Sequence, residues 1–328
     1  MKAIVWTGYG SPDVLQLREV AKPAPKANEL LVKIRATTVT TGDCEMRNLR
    51  FPYWIRLPMR AFIGLRKPTR ITIPGNYLAG EIEAVGADVT RFQVGDQIFS
   101  TTLFGFSAYA EYTCVPENGA IAIKPATVSY EEAAPVGLGG LEALHFLRIA
   151  AVQPGEKVLI NGAGGSIGTY GIQIAKYFGA EVTAVDSGEK LAKLRDVGAD
   201  QVIDYTQEDF TKNGQRYDVI FDIIGKSPFA ASVRSLNPGG RYLIANPTGP
   251  LQFVRGKWAS RQSDKKVLFE MTSPTAKDLA FLAELMAAGK LRTVIDRSYS
   301  LAQIPDAHRY VEAGQKVGNV TVTIEHAS

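Results

Sequence analysis

The sequence contains only two cysteines, Cys44 and Cys114, and three histidines, His145, His308 and His326. Two cysteines cannot form a disulfide framework or a four-cysteine zinc module, and so few thiols and imidazoles argue against a transition-metal site. No uninterrupted apolar run reaches the roughly 18 residues of a membrane-spanning helix. The first residues turn polar too soon for the apolar core of a signal peptide, so the expected compartment is the cytoplasm.

The sequence also has little excess charge of either sign. Its 37 Lys and Arg residues nearly balance 33 Asp and Glu residues, and the net charge of +4 gives no general signal for nucleic-acid binding. With 45% hydrophobic and 21% charged residues, the composition is typical of a globular chain and excludes disorder and fibres. At roughly 150 residues per domain, the 328 residues predict about two domains.

Hydrophobic periodicity divides the sequence into three stretches. Up to about residue 125, turn signals separate short β-like runs at 3–6, 29–36, 78–85, 97–101 and 108–115. From Ser129, which starts a capping box with Glu132, a helical pattern continues to about residue 148. Strand and helix patterns then alternate to about residue 245, which predicts a parallel sheet covered by helices. The last stretch has helical patterns at 275–288 and 304–313 and a strand at 319–324, and we expect it to return to the first domain.

A glycine-rich segment between a predicted strand and a predicted helix carries the strongest chemical signal. Gly162, Gly165 and Gly168 fall three apart, with Gly164 extra, so the spacing is not the strict G-x-G-x-x-G. Such a turn lets a pyrophosphate approach the backbone, and the helix N-terminus supplies N–H donors and a positive dipole end. Asp186 ends the next strand about 20 residues further on, so the segment predicts a dinucleotide site. The residues expected to hold the pyrophosphate are Gly162, Gly165, Ser166, Ile167 and Gly168.

Asp186 bears on which dinucleotide binds. Its carboxylate would accept hydrogen bonds from the adenosine ribose and repel a 2′-phosphate, which favours NADH. Ser187 and Lys190 follow, and Lys190 offsets that repulsion, which favours NADPH. Both interpretations stay open, and a third makes Asp186 a plain cap of the next helix. Three further predicted cofactor residues lie beyond later strands. We expect Tyr205 at the adenine, and Gly225 and Ala245 at the nicotinamide half.

Several motifs resemble the medium-chain dehydrogenase/reductase superfamily, in its zinc-free quinone oxidoreductase-like branch. They are GSPDVL at 10–15, IPGNYLAGE at 73–81, FQVGD at 92–96 and the glycine turn with the helix after it, and residues 316–320 fit the family's ending. The resemblance implies an α/β fold, with a Rossmann doubly wound parallel sheet inserted into a GroES-like, mostly antiparallel β domain. The expected GroES-like catalytic and substrate domain is 1–125 plus 270–328, and the expected dinucleotide-binding domain is 126–269, with the active site in the cleft.

The resemblance also implies where zinc-containing relatives hold their metal. Those members have a Cys at the position of Thr40, a His and a Glu at Asn76 and Tyr77, and a further ligand near Leu138, and none of these is present. We therefore expect no metal. Without a Lewis acid, unactivated ketones become poor substrates, whereas quinones and activated enones accept hydride with modest help. Asn76 or Tyr77 is a candidate donor to the substrate oxygen, and the alternative is that both only line the cleft.

The segment 46–72 is basic and aromatic. Between Glu45 and Glu81 there are seven basic residues and no acidic one. One interpretation is a lid whose Tyr53 and Trp54 join Thr40 and Leu138 in a substrate pocket. The others are docking on an anionic membrane surface, stacking with single-stranded nucleic acid, and a solvated loop packed on the domain.

The expected function is therefore a zinc-independent, NAD(P)H-dependent oxidoreductase that transfers hydride to a quinone or an activated enone. We expect NADPH or NADH as cofactor and a small-molecule substrate, and no nucleic-acid partner. The resemblance implies a homodimer paired through an edge strand of the Rossmann sheet at 241–245. The alternative is a regulatory or membrane-associated dinucleotide-binding protein of the same fold without turnover, since no residue is an unambiguous acid or base.

Overall fold

The computed structural model of the chain describes residues 1–102 and 105–326, without the side chains of Tyr53 and Trp54. Backbone contacts divide the chain into two units. Unit 1 comprises residues 1–138, 274–289 and those from 293 onward, and unit 2 comprises residues 139–273 and 290–292. The predicted domain boundaries, after residue 125 and after residue 269, precede the two main divisions of the chain.

Most of the strands, numbered in chain order, overlap a predicted run, and those at 15–19, 121–123, 266–268 and 295–300 were not predicted. The strands are β1 (Lys2–Trp6), β2 (Leu15–Glu19), β3 (Glu29–Val39), β4 (Tyr77–Val85), β5 (Gln97–Thr101), β6 (Tyr112–Pro116), β7 (Ile121–Ile123), β8 (Lys157–Asn161), β9 (Glu181–Asp186), β10 (Gln201–Asp204), β11 (Tyr217–Asp222), β12 (Leu236–Ile244), β13 (Lys266–Leu268), β14 (Ile295–Ser300) and β15 (Asn319–Thr323).

The helices are α1 (Thr41–Asn48), α2 (Tyr53–Ile63), α3 (Tyr130–Ala133), α4 (Gly139–Ile149), α5 (Ser166–Tyr177), α6 (Leu191–Val197), α7 (Phe229–Arg234), α8 (Pro250–Gln262), α9 (Ala276–Ala287) and α10 (Ile304–Glu312). The predicted capping box of Ser129 and Glu132 is confirmed at the start of α3. The helix predicted from 129 to 148 is wrong as one element, because a tight 3-10 turn over Ala134–Gly137, with Pro135 as its second residue, separates α3 from α4.

Unit 1 is built on a seven-stranded sheet in the order β14-β15-β3-β4-β5-β7, with β6 also paired to β3, beside a separate β1–β2 hairpin. Every pair is antiparallel except β14 with β15. The return of the last stretch is confirmed, since Val320 of β15 lies opposite Val39 of β3. Its core includes fully buried side chains from β1, β3, β4 and α10, among them Ile4, Val32, Leu78 and Ile304.

Unit 2 is a six-stranded parallel sheet in the order β10-β9-β8-β11-β12-β13. This order winds outward in both directions from β8 and β11, as in a Rossmann fold, and the predicted fold class is confirmed. Val158, Leu159 and Ile160 of β8 are completely buried, as expected for a strand with helices on both faces. Ligands in such sheets bind where the strand order reverses, at the carboxyl ends of β8 and β11.

The expected edge strand of the unit 2 sheet is wrong. The strand predicted at the sheet edge, 241–245, is the end of β12, which stops at Ile244 and pairs with β11 on one side and with β13 on the other. The edge strands of this sheet are β10 and β13, and β13 is only three residues long, too short to give a periodic pattern.

Candidate cofactor site

The glycine-rich turn connects β8 to α5 as the sequence predicts. Gly162 has φ +85, and its N–H donates to the carbonyl of Val185 at 3.0 Å. A Cβ on Gly168 would lie 2.5 Å from the backbone of Ala163, so the first turn of α5 packs directly against the glycine turn. A Cβ on Gly165 would meet nothing closer than 3.7 Å, which leaves the backbone there open to a close approach.

The start of α5 has the features of an anion site. Gly165 is the N-cap, no side chain of the described residues caps the helix, and its first turn contains no acidic residue. Ser166, Ile167 and Gly168 are its first three residues, whose N–H groups have no carbonyl partner within a regular helix. The residues predicted to hold a pyrophosphate therefore fit that group.

Asp186 ends β9 with its carboxylate directed at the glycine turn. Its Oδ2 accepts a hydrogen bond from the N–H of Gly164 at 2.7 Å, and its Oδ1 accepts one from the N–H of Ser187 at 2.9 Å. Nζ of Lys190 lies 3.4 Å from Oδ1, and both charged side chains are only 11% exposed. The structure thus brings together Asp186, Ser187 and Lys190, and the interpretation of Asp186 as a plain helix cap is wrong.

Tyr205 follows β10, next to the end of β9. Its N–H donates to the carbonyl of Asp186 at 3.2 Å, and 59% of the residue is exposed. An exposed ring at this edge of the sheet is available to stack on a planar group such as adenine.

Gly225 and Ala245 lie beyond the carboxyl ends of β11 and β12. Gly225 has φ +70, and a Cβ there would come within 1.9 Å of the carbonyl oxygen of Asn246, so no other residue fits. The N–H of Ala245 donates to the carbonyl of Asp222 at 3.1 Å. These two residues belong to the loops beside the point where the strand order reverses.

Sequence reasoning placed Gly225 beyond a strand end but missed the hydrogen bonds that the carboxylate of Asp222, the last residue of that strand, accepts. Asn161, the last residue of β8, donates from Nδ2 to Oδ1 of Asp222 at 2.9 Å. An Asn directly before a glycine turn and an Asp at the end of a buried strand are the only signals that could have indicated the pair.

In unit 1, the structure brings Asn76, Tyr77 and the turn before Leu138 together. Tyr77 begins β4, and its ring lies 3.3 Å from the Cβ position of Gly137, the residue before Leu138. The carbonyl of Asn76 accepts a hydrogen bond from the N–H of Thr102 at 2.7 Å, and its Oδ1 lies 3.5 Å from the Thr102 hydroxyl.

Thr40 and the two aromatic residues belong to different helices of unit 1. Thr40 is the N-cap of α1, and its hydroxyl donates to Oδ2 of Asp43 at 2.7 Å. Tyr53 and Trp54 begin α2, and their side chains lie outside the described part of the chain.

The basic segment carries less surface charge than its sequence suggests. Arg47 is 2% exposed and lies inside unit 1, where its NH2 group contacts Oε1 of Glu312 at 2.7 Å. Arg60 and Arg70 lie over the rings of Tyr9 and Phe62. Leu57 is 75% exposed, so α2 keeps an apolar surface.

Metal and membrane signals are absent from the described residues. No group of three or more His, Cys, Asp or Glu side chains within 1–102 and 105–326 is arranged to hold a metal ion. Cys44 is buried, and burial raises the pKa of its thiol well above the ordinary value, which leaves it unreactive. None of the described helices is long and apolar enough to cross a membrane.

Comparisons with known proteins agree with this geometry. Residues 26–125 match the family model of the alcohol dehydrogenase GroES-like domain, and residues 197–322 match that of zinc-binding dehydrogenases. The chain is 30% identical to the chloroplastic quinone-oxidoreductase homolog of Spinacia oleracea, over 98% of each protein. It is 31% identical to the chloroplastic NADPH-dependent alkenal/one oxidoreductase of Arabidopsis thaliana, over 98% of this chain and 79% of that protein.

A solved structure extends the comparison to three dimensions. The quinone oxidoreductase from Coxiella burnetii superposes with a TM-score of 0.87 at 27% identity and covers 99% of both chains. The match includes both units, and the relatives are similar over nearly the whole chain. The protein therefore belongs to the medium-chain dehydrogenase/reductase superfamily, in its quinone oxidoreductase-like branch.

Proposed function

We propose that the protein is a zinc-independent reductase that transfers hydride from NADPH to a quinone or an activated enone. The proposal depends on one observation above all: the backbone of the glycine turn leads into α5 beside the paired side chains of Asp186 and Lys190. The names of the relatives, a quinone oxidoreductase homolog and an NADPH-dependent alkenal/one oxidoreductase, support the same reaction class.

The cofactor would be held along the carboxyl edge of the parallel sheet. The pyrophosphate would lie on the turn and first residues of α5, the adenosine ribose beside Asp186, Ser187 and Lys190, and the adenine at Tyr205. Gly225 and Ala245 would adjoin the nicotinamide half. When bound, the reduced nicotinamide supplies the hydride, and the protein orients it and excludes water.

The preference for NADPH follows from the state of Asp186. Both of its oxygens already accept backbone hydrogen bonds, from Gly164 and Ser187, so they are less available to the ribose hydroxyls. Lys190, at 3.4 Å, offsets the negative charge and provides a cation for a 2′-phosphate.

The absence of zinc is proposed from the donor set. The positions that hold ligands in zinc-containing relatives are occupied here by a hydroxyl, an amide, a phenol and an alkyl group, on Thr40, Asn76, Tyr77 and Leu138. Zinc prefers thiolate and imidazole ligands, and the Thr40 hydroxyl is already bonded to Asp43. Without this Lewis acid, only acceptors that are already activated are expected to turn over.

Asn76 and Tyr77 are the proposed donors to the substrate oxygen, and both are partly exposed. A hydrogen bond there stabilises the negative charge that develops on the oxygen as hydride arrives at carbon.

A reduced-nicotinamide assay tests the proposal. Purified protein is mixed with NADPH or NADH and with a panel of a simple quinone, an α,β-unsaturated ketone and the matching saturated ketone. We expect oxidation of NADPH with the first two acceptors and not with the third, in protein that contains no stoichiometric zinc by elemental analysis.

Two results would count against this proposed function. Turnover of the saturated ketone together with one zinc per chain would contradict the metal-free mechanism. Tight NADPH binding without turnover of any acceptor would favour the alternative of a dinucleotide-binding regulatory protein.

We also propose that the protein forms a homodimer and is located in the cytoplasm. One edge of the unit 2 sheet is β13, and Leu251, Val254 and Trp258 on the neighbouring α8 are all more than half exposed. A strand edge and an apolar helix face are surfaces that proteins commonly cover by pairing. Light scattering after gel filtration tests the dimer. Both cysteines are free thiols, which suits a reducing compartment.

A further inference from the structure

The side chain of Asp222 is a completely buried carboxylate at the carboxyl end of β11. Its Oδ1 accepts hydrogen bonds from Nδ2 of Asn161 at 2.9 Å and from the N–H of Gly225 at 3.0 Å. Its Oδ2 accepts them from the hydroxyl of Tyr242 at 2.9 Å and from the N–H of Ser227 at 3.3 Å. Four donors from three separate segments therefore meet at one carboxylate.

The contacts are those of an ionised carboxylate. Every partner presents a hydrogen, so both oxygens act only as acceptors. Burial, together with the charge of Asp222, raises the pKa of Tyr242 far above its ordinary value, which keeps the phenol a donor. Asp222 takes part in none of the ion pairs within the described chain. A buried charge without a cation is costly unless its hydrogen bonds are complete, and here each oxygen has two.

The carboxylate organises the loop 223–228, which follows β11. Two of the four donors are backbone N–H groups of this loop, so the chain folds back over Asp222. The outer side of the loop is also held: Nδ2 of Asn246 donates to the carbonyl of Ile223 at 2.7 Å, and Nε2 of Gln252 donates to the carbonyl of Gly225 at 3.0 Å.

The same loop touches the glycine turn. A Cβ on Gly162 would lie 2.7 Å from the side chain of Ile224, so this side chain packs against the first glycine of the turn. Asn161, which donates to Asp222, is the residue directly before that glycine. Asp222 therefore connects the loop after β11 to the turn after β8, across the point where the strand order reverses.

We propose that Asp222 is a positioning residue that fixes the loop 223–228 against the glycine turn and so sets the part of the crevice that receives the nicotinamide half of the dinucleotide. This inference rests on the proposed function, because it assigns the ligand of that crevice. Asp222 does not touch the cofactor in this scheme, and it acts through Ile224 and Gly225.

The substitution Asp222→Asn tests the proposal with little change in volume. The new amide NH2 group would replace one carboxylate oxygen and so face the backbone N–H of either Gly225 or Ser227. A backbone N–H can only donate, whereas the Tyr242 hydroxyl can also accept, so at least one hydrogen bond would be lost. Asp218→Asn is the matched control on the same strand. That carboxylate also accepts two hydrogen bonds, from Asn237 at 2.7 Å and from the N–H of Lys157 at 2.8 Å, but it lies near the other end of the sheet.

Two readouts are measured on the full chain. The first is affinity by calorimetry for NADPH and for adenosine 2′,5′-bisphosphate, which lacks the nicotinamide half. We expect Asp222→Asn to weaken NADPH binding about tenfold or more while the bisphosphate affinity stays within about twofold, because charged hydrogen bonds are lost only at the nicotinamide side. Asp218→Asn is expected to leave both affinities unchanged.

The second readout is amide hydrogen exchange without any dinucleotide. In Asp222→Asn, exchange should become faster within 223–228, and in Asp218→Asn it should not. If Asp222→Asn does not fold, Tyr242→Phe removes one donor and should produce the same pattern at smaller size.

Equal NADPH affinity in the Asp222 and Asp218 variants, or an equal loss of NADPH and bisphosphate affinity, would overturn the assignment. Failure of the unaltered protein to bind either nicotinamide dinucleotide would overturn the proposed function instead. In that case the exchange measurement alone decides whether Asp222 holds the loop.

Discussion

The thiol of Cys44 lies 3.3 Å from Nδ1 of His308, although the two residues are far apart in the chain. The contact joins α1 to α10 in the core of unit 1, where His308 is 1% exposed. Burial, and to a smaller extent the nearby Arg47 guanidinium, lowers the pKa of His308 to about 3. His308 is therefore a neutral imidazole under physiological conditions, and its protonation opposes folding.

The stability of the protein should fall as the pH falls from 6.5 towards 3. In this window the unfolded chain binds a proton at His308 and the folded chain does not, so acid favours unfolding, by an amount on the order of 4 kcal/mol. His308→Asn removes the titration, and its free energy of unfolding should depend less on pH over the same window. Denaturant unfolding at several pH values measures both slopes, and parallel curves would contradict the prediction.

Gly165→Ala should separate cofactor binding from stability. The φ of Gly165 is −82 and its nearest neighbour is 3.7 Å from the Cβ position, so the folded chain accepts alanine. We expect the free energy of unfolding to change by less than about 0.5 kcal/mol. If the pyrophosphate approaches this backbone, the NADPH dissociation constant should rise about tenfold or more, since the methyl group blocks it.

Gly168→Ala is the contrasting variant. Its Cβ would lie 2.5 Å from the backbone of Ala163, which cannot move aside cheaply, so unfolding should become easier by about 1–3 kcal/mol. Thermal melting and calorimetry on both variants make the comparison. Unchanged NADPH affinity in Gly165→Ala would show that the pyrophosphate lies elsewhere.

Lys190→Met should change the choice between the two dinucleotides. The cation beside Asp186 would be lost, and the NADPH dissociation constant should rise about tenfold or more, with little change for NADH. Lys193→Met is the control, because Lys193 lies on α6 with its side chain exposed. An equal effect on both dinucleotides would remove Lys190 from 2′-phosphate recognition.

Substitutions at Asn76 and Tyr77 identify the donor to the substrate oxygen. Asn76→Ala keeps the backbone hydrogen bond to Thr102, and Tyr77→Phe keeps the ring against Gly137, so both variants should fold. In the variant that lacks the hydrogen-bond donor to the substrate oxygen, kcat with a quinone should fall about tenfold to a hundredfold, while the NADPH affinity stays unchanged. Stopped-flow measurement of NADPH oxidation provides the rates, and full activity in both variants would leave the pair as cleft lining only.

Local patterns predicted several features of the chain from the residues alone. The glycine turn, the acidic end of β9 and the capping box at Ser129 are short-range signals, and each appears where it was expected. Helix α2 was missed because Pro58 lies inside it and interrupts the helical pattern. Strand β13 was missed because three residues contain no period.

Contacts between distant residues were out of reach of the sequence. Arg47 was counted among seven surface charges, but it is buried by an ion pair with Glu312, 265 residues further along the chain. The carboxylate of Asp186 was expected to face a ribose, and its bond to Gly164 depends on how β9 is placed beside the turn. No local pattern encodes either partner.

The pairing of β15 with β3 affects the order in which a ribosome can complete the two units. Residues 36–39 have no partner on that side until 320–323 have been synthesised, whereas the strands of unit 2 are contiguous between 157 and 268. The nascent protein thus emerges with its first sheet unfinished, and the inserted parallel sheet can mature earlier. Chaperones that shield open strand edges would be needed over that interval, and premature termination near residue 315 would release a chain prone to aggregation.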